Sequence, residues 1–168
     1  MIFLPRVSLA GATLAGWLCH AAVPTFDAIH SGRATTPYYA FPTTWIAPAD
    51  AKYQRRSEAS AVTLKNGDVL VAWCDLMGRG DNAKGFISAV ELDPVGQPRG
   101  EPRIVVPTPP GGLNSLSPAL RRLANGEIGM AFSYRMSTKE ASRRFIRSAD
   151  EGLTWTAPVV VSDGSDPY

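Results

Sequence analysis

Residues 61–73, AVTLKNGDVLVAW, and residues 120–132, LRRLANGEIGMAF, share one design. Each is a short apolar strand, an Asn-Gly pair followed by an acidic residue, and a second strand that ends on an aromatic. An Asn-Gly turn between such strands is a strong local hairpin signal. Asn66 and Asn125 lie 59 residues apart. Behind each hairpin comes a third strand (GFISAVEL or RRFIRSA), a turn (LDPVGQPRGEP or DEGLTWTAP) and a closing strand (RIVV or VVV). Pro102 and Pro158 fall at matching places, 56 residues apart. A four-strand antiparallel unit repeated at such a period is the sequence pattern of β-propeller blades. A β-sandwich made by duplication is the competing architecture, but sandwiches seldom repeat one turn chemistry at the same strand junction. The expectation is an all-β chain holding about two four-stranded antiparallel blades, at about 57–106 and 116–162, within a propeller segment 55–168.

The remaining composition narrows the class. Of 168 residues 45% are hydrophobic and 19% charged, enough for roughly one globular domain. Seventeen basic and fifteen acidic residues give a net charge of +2, too balanced for a nucleic-acid footprint. The N-terminus, MIFLPRVSLAGATLAGWLCHAAV, puts one arginine before an apolar run and small residues after it, the form of a secretory signal over 1–22. Val7 to Val23 is short for a stable membrane span, so an exported protein without a membrane anchor after cleavage is expected, with residues 23–54 as an extension. Cleavage leaves Cys74 as a lone thiol and His30 as a lone imidazole, which make neither a disulfide nor a zinc cluster. The closing SDGSDPY has no calcium-loop spacing.

The segment 148–155, SADEGLTW, has the chemistry of a tight reversal. Ser148 and Asp150 can accept from backbone N–H groups just ahead, and Gly152 supplies a positive φ. Thr154 follows, and Trp155 can fold back over the adjoining strands and hold the turn by its area. The first unit keeps only Asp93 and Gly96 at that place.

SADEGLTW resembles the Asp-box, S-x-D-x-G-x-T-W, of the sialidase (neuraminidase) superfamily, and the L-x-N-G hairpins resemble the inner strands of its blades. The resemblance covers about residues 55–168 and implies a partial six-bladed β-propeller, with the Asp-box a structural staple on the rim. It further implies an exo-α-sialidase-like glycosidase that removes terminal sialic acid or a similar acidic sugar from glycans, without a cofactor. A substrate carboxylate calls for guanidinium forks. Arg56, with Arg55 as the alternative, matches the first of the family's arginines, and Glu58 is placed to orient Arg56. In the loop CDLMGRGDNAKGF, Asp81 matches the catalytic acid/base, with Asp75 second. Tyr134 is a candidate for lining the site or for core packing. The family's tyrosine nucleophile, its glutamate partner and further arginines come from later blades, so the resemblance implies an N-terminal fragment, inactive alone and with apolar inter-blade faces left bare. Two other readings stay open. One is a non-catalytic Asp-box propeller binding glycan or protein; the other is a glycosidase of this fold acting on another sugar.

Overall fold

A computed structural model describes residues 46–163. The signal segment, Cys19, His30 and the end of SDGSDPY lie outside the described residues. Eight strands follow in order: β1 (Arg55–Thr63), β2 (Val69–Leu76), β3 (Gly85–Leu92), β4 (Arg103–Val106), β5 (Asn114–Arg122), β6 (Ile128–Arg135), β7 (Ala141–Ser148) and β8 (Val159–Ser162). Each pairs antiparallel with the next within β1–β4 and within β5–β8. One parallel bridge, Gly85 to Asn114, joins the two four-stranded units. These are two adjacent blades of a β-propeller. No helix among the described residues is long and apolar enough to cross a membrane.

The Asn-Gly hairpins have one geometry. Leu64 N–H donates to Asp68 O and Gly67 N–H to Leu64 O; Leu123, Glu127 and Gly126 repeat the pattern. The loop is three residues long and ends on a glycine, Gly67 (φ 89°) or Gly126 (φ 85°), in the left-handed position that such hairpins require. The Asn66 and Asn125 side-chain oxygens each accept the N–H two residues on. The repeat seen in the sequence is therefore a repeat of hydrogen bonds.

Alternation along the strands sends Leu70, Ala72, Ile87 and Ala89 from the first blade, and Ile128, Met130, Phe132 and Ile146 from the second, into a shared core between the blades. Burying such a side chain contributes about 1.5–3 kcal/mol. The innermost strands β1 and β5 are also linked directly. Leu120 N–H donates to Ser60 Oγ, and the Arg122 guanidinium to Thr63 O.

The outer faces differ from the expectation of bare apolar surfaces. On the first blade Trp73, Val90 and Leu92 are covered by Ile46 and Ala47. The second blade's free face mixes Ala119, Ala131 and Phe145 with Arg121, Arg143 and Arg147. Gly129 makes room there for the Phe145 ring, since a Cβ would come within 2.7 Å of Cζ. Exposed apolar residues gather instead on the last strand, at Val159, Val160 and Val161.

Candidate functional site

Both inner strands carry a bulge at the same place in the repeat. Between Ser57 and Ser60, two residues of β1 oppose Trp73 alone; between Leu116 and Ala119, two residues of β5 oppose Phe132 alone. The first residue of each bulge, Glu58 (φ 58°) and Ser117 (φ 56°), is a non-glycine in the left-handed region. Such a conformation costs on the order of 1 kcal/mol, and bulges of this kind re-aim side chains beside active sites. Here they bring the two blades into contact: Ser117 Oγ donates to Glu58 Oε2 at 2.7 Å.

The other Glu58 oxygen accepts from Arg55 Nη2 at 2.9 Å. Arg55 reaches on to the loop after β2, where Nη1 donates to Asp81 Oδ1 at 2.5 Å. That bond, with the charge of Arg55, holds the Asp81 carboxyl below its ordinary value. The loop is anchored from the second blade. Asn114, fully buried, donates to the Asp81 and Ala83 carbonyls at 2.7 Å each. Arg135 donates to Asp81 O at 2.8 Å and to Asn82 Oδ1 at 3.0 Å. Lys84 Nζ donates to Gly112 O. Asn114 and Arg135 were not legible as site residues, because their partners are backbone carbonyls and a loop amide that only the fold brings near.

Arg56 points the other way. Its Nε donates to Asp75 Oδ1 at 2.7 Å, Nη1 to Pro48 O and Nη2 to Asp50 Oδ2 at 3.2 Å, with Tyr53 5.1 Å beneath the guanidinium. The expected Glu58–Arg56 pair does not form: plain alternation would put both on one face, but the bulge and its left-handed Glu58 re-aim the carboxylate to Arg55. Asp75 is buried and accepts from Trp73 Nε1 (3.1 Å) and Ser88 Oγ (2.5 Å) as well. It lies with Arg56 on a cavity of about 480 Å³ on the first blade's free face. Asp81 and Asp75 thus occupy different environments. Cys74 lies buried behind the Glu58–Ser117 contact, accepts Ser117 N–H at 3.2 Å, and burial pushes its thiol up to about 12. A thiol in that state is a packing group. Tyr134 packs edge-on against Phe132 at 5.1 Å, with Arg144 over its ring, and burial raises its hydroxyl pKa.

The SADEGLTW turn connects β7 to β8. Ser148, buried, accepts Gly152 N–H at 2.7 Å and donates to Asp150 Oδ1 at 2.8 Å. Asp150 also accepts the Thr154 N–H (2.9 Å) and hydroxyl (2.5 Å), which bring its pKa down to about 2. Trp155 Nε1 donates to Gly152 O at 3.1 Å while its ring packs on the shared core. The turn reaches the first blade as well. Glu151 accepts Lys65 N–H at 2.9 Å and both Arg122 Nη groups at 2.7 and 2.6 Å, and Arg103 donates to Gly152 O at 2.5 Å. Glu151 was missed in sequence because the pattern leaves its position open.

Among the described residues no group of three His, Cys, Asp or Glu is arranged to hold a metal. No family model matches the chain, and no curated protein matches it. Among solved structures it resembles a protein of unknown function from Dyadobacter fermentans DSM 18053, with TM-score 0.57 and 18% identity over 68% of this chain and 38% of that one. It also resembles the Hadza microbial sialidase Hz136, with TM-score 0.54 and 16% identity over 66% and 26% of the two chains. An endo-arabinase from Bacteroides thetaiotaomicron VPI-5482 superposes with TM-score 0.47 and 18% identity over 64% and 43%. The chain thus spans less than half the length of each. At these identities the likeness is one of fold, a partial β-propeller.

Proposed function

We propose that this chain is the first part of an exported, sialidase-like glycosidase propeller of the Asp-box type, and that its Arg55–Glu58–Asp81 cluster binds the carboxylate side of an acidic sugar. The observation that carries the reading is the ion pair between Arg55 and Asp81 beside the first-strand bulge. It puts a guanidinium and an exposed carboxylate together at the end of the innermost strand. Arg56, the arginine favoured from sequence, and Arg55 both have every guanidinium nitrogen bonded to a protein acceptor. Arg55 is the more exposed, and its acceptor Asp81 is open to solvent whereas Arg56 is held by the buried Asp75, so Arg55 is the fork a ligand carboxylate can take over.

The pairing gives a chemical sequence. In the free protein Arg55 keeps Asp81 ionised. A ligand carboxylate that takes over the Arg55 guanidinium removes that hydrogen bond and adds a like charge nearby, and both effects raise the Asp81 pKa. Asp81 then takes up a proton from solvent and holds it where a departing glycoside oxygen needs it. The nucleophile and further carboxylate ligands belong to other blades of the complete propeller.

The test is a titration of the purified chain, followed by amide NMR, with N-acetylneuraminic acid and with neutral galactose. The acidic sugar alone is expected to shift the amides of residues 55–58 and 77–84, and Arg55→Ala is expected to abolish the shifts. Equal response to galactose, or an unaltered response in Arg55→Ala, refutes the reading. Uniform indifference to both sugars also counts against it and favours a propeller that binds protein.

A further inference from the structure

The two blades meet face to face, so the face that the first turns to the second is a template for the face that the second turns outward. Strand register aligns the two row by row. On the first blade Cys74 pairs with Ile87, Ser60 and Ala89 flank Ala72, and Val62 and Glu91 flank Leu70. On the second, Ser133 pairs with Arg143, Ala119 and Phe145 flank Ala131, and Arg121 and Arg147 flank Gly129. The same rows carry different chemistry.

Ser133 is 3% exposed, and its Oγ has no hydrogen-bond partner. Buried hydroxyls are almost always paired, and an unpaired one calls for a reason. Its counterpart supplies one. Cys74 Sγ accepts the N–H of Ser117, the bulge residue on the inner strand of the following blade, at 3.2 Å. The Ser133 hydroxyl holds the same place one blade on. Ala124 likewise corresponds to Lys65, whose N–H the β7–β8 turn of the following blade takes through Glu151 at 2.9 Å. Charge separates the two faces. Where the first has Val62, Ile87 and one carboxylate, Glu91, the second has three exposed arginines. Arg147 pairs with Glu127 at 3.1 Å, and no ion pair among the described residues engages Arg121 or Arg143. Covering guanidinium groups with apolar surface is costly unless each meets an acceptor, so whatever covers this face must be acidic.

We propose that the second blade's free face docks a third four-stranded unit whose facing surface is acidic. The N–H of its inner-strand bulge donates to Ser133 Oγ, a carboxylate in its last turn accepts Ala124 N–H, and further carboxylates meet Arg121 and Arg143. Ala119 stands where Ser60 accepts Leu120 N–H, so that link between inner strands is not repeated. The first interface is thus an apolar core, and the second is held by charge and weakened by salt. A second copy of this chain offers no such surface. Its outer first-blade face is covered in part by Ile46 and Ala47, and Asp75 there is already held by Arg56. The inference rests on the reading of the chain as the first part of a longer propeller and takes nothing from its sugar site.

The experiment inserts a repeat of residues 107–162 after Ser162 of the full chain, once unchanged and once with Met130→Glu in the repeat, a position that faces the preceding blade. Thermal melting is measured on the wild-type and both extended chains, at low and high salt. In the wild-type chain Ser133→Ala is expected to leave the melting temperature unchanged or raised, because the hydroxyl it deletes is unpaired. In the extended chains the same change should lower it by about 2–4 °C, the effect of one hydrogen bond in a chain of that size. The Met130→Glu repeat should melt above the unchanged repeat at low salt, and Arg121→Gln with Arg143→Gln, or high salt, should abolish the difference. An unchanged repeat that melts higher at both salts refutes the acidic partner. Extended chains that melt no higher than wild type, or a Ser133→Ala effect already present in the wild-type chain, refute the docking of a third unit. A wild-type dimer in light scattering that Arg143→Glu dissolves makes a second copy the occupant and overturns the proposal. None of these outcomes touches the Arg55 site, which stands or falls on the sugar titration.

Discussion

Arg55 and Arg56 are adjacent, carry the same charge and have opposite fates. Strand alternation sends them to opposite faces, Arg56 to Asp75 and Tyr53 and Arg55 toward Asp81, and the bulge then turns Glu58 to Arg55. The pair was visible in sequence, but the choice between its members was not, because nothing local says which face of β1 turns toward the loop after β2. The bulge at Glu58 was also invisible, since a left-handed glutamate leaves no compositional trace. The Arg55–Asp81 bond makes a prediction at this scale. Arg55→Ala should raise the Asp81 pKa toward that of an ordinary carboxylate, measured by carboxyl ¹³C NMR as a function of pH. An Asp81 that stays acidic in the variant would remove the proposed link between carboxylate binding and proton uptake.

The β7–β8 turn was the most legible element. Ser148, Asp150, Gly152, Thr154 and Trp155 all make bonds within it, of the kind their side chains and spacing suggest. Its grip on the first blade was not legible, because Lys65, Leu70 and Arg103 lie far away in sequence. Gly152 (φ 88°) is enclosed on that side, and a Cβ there would come within 2.6 Å of Leu70 Cδ2. Gly152→Ala should therefore cost about 2 kcal/mol, from left-handed strain plus the clash, read as a lowered melting temperature. An unchanged melting temperature would mean that the turn does not bear on the first blade. Glu151 supplies a pH signature. Arg122 and the Lys65 N–H and ammonium depress its pKa from 4.5 to about 2. A depressed folded-state pKa stabilises fully above the unfolded value, so this contribution is present above pH 4.5 and lost as pH falls through about 2. Glu151→Gln should flatten the fall of melting temperature across that window, and an acid limb identical to wild type would show that the Glu151 ion pairs with Arg122 and Lys65 contribute nothing.

At the scale of the molecule, period and turn chemistry sufficed to find two blades, because each blade repeats its hairpin hydrogen bonds. They did not suffice for the faces. The first blade's free side is covered in part by Ile46 and Ala47, residues that carry no strand pattern, and the second blade's free side keeps arginines among its small apolar residues. Both features depend on which side chains a twisted sheet turns outward. The account's central claim is that the inner strands, and neither the β7–β8 turn nor the first blade's outer cavity, hold the ligand. A crystal structure of the chain soaked with N-acetylneuraminic acid tests it most directly. The account predicts the sugar carboxylate on Arg55, with Asp81 displaced from that guanidinium. A sugar seated instead at the SADEGLTW turn, or in the cavity lined by Tyr53, Arg56 and Asp75, with Arg55 still bonded to Asp81, would contradict it.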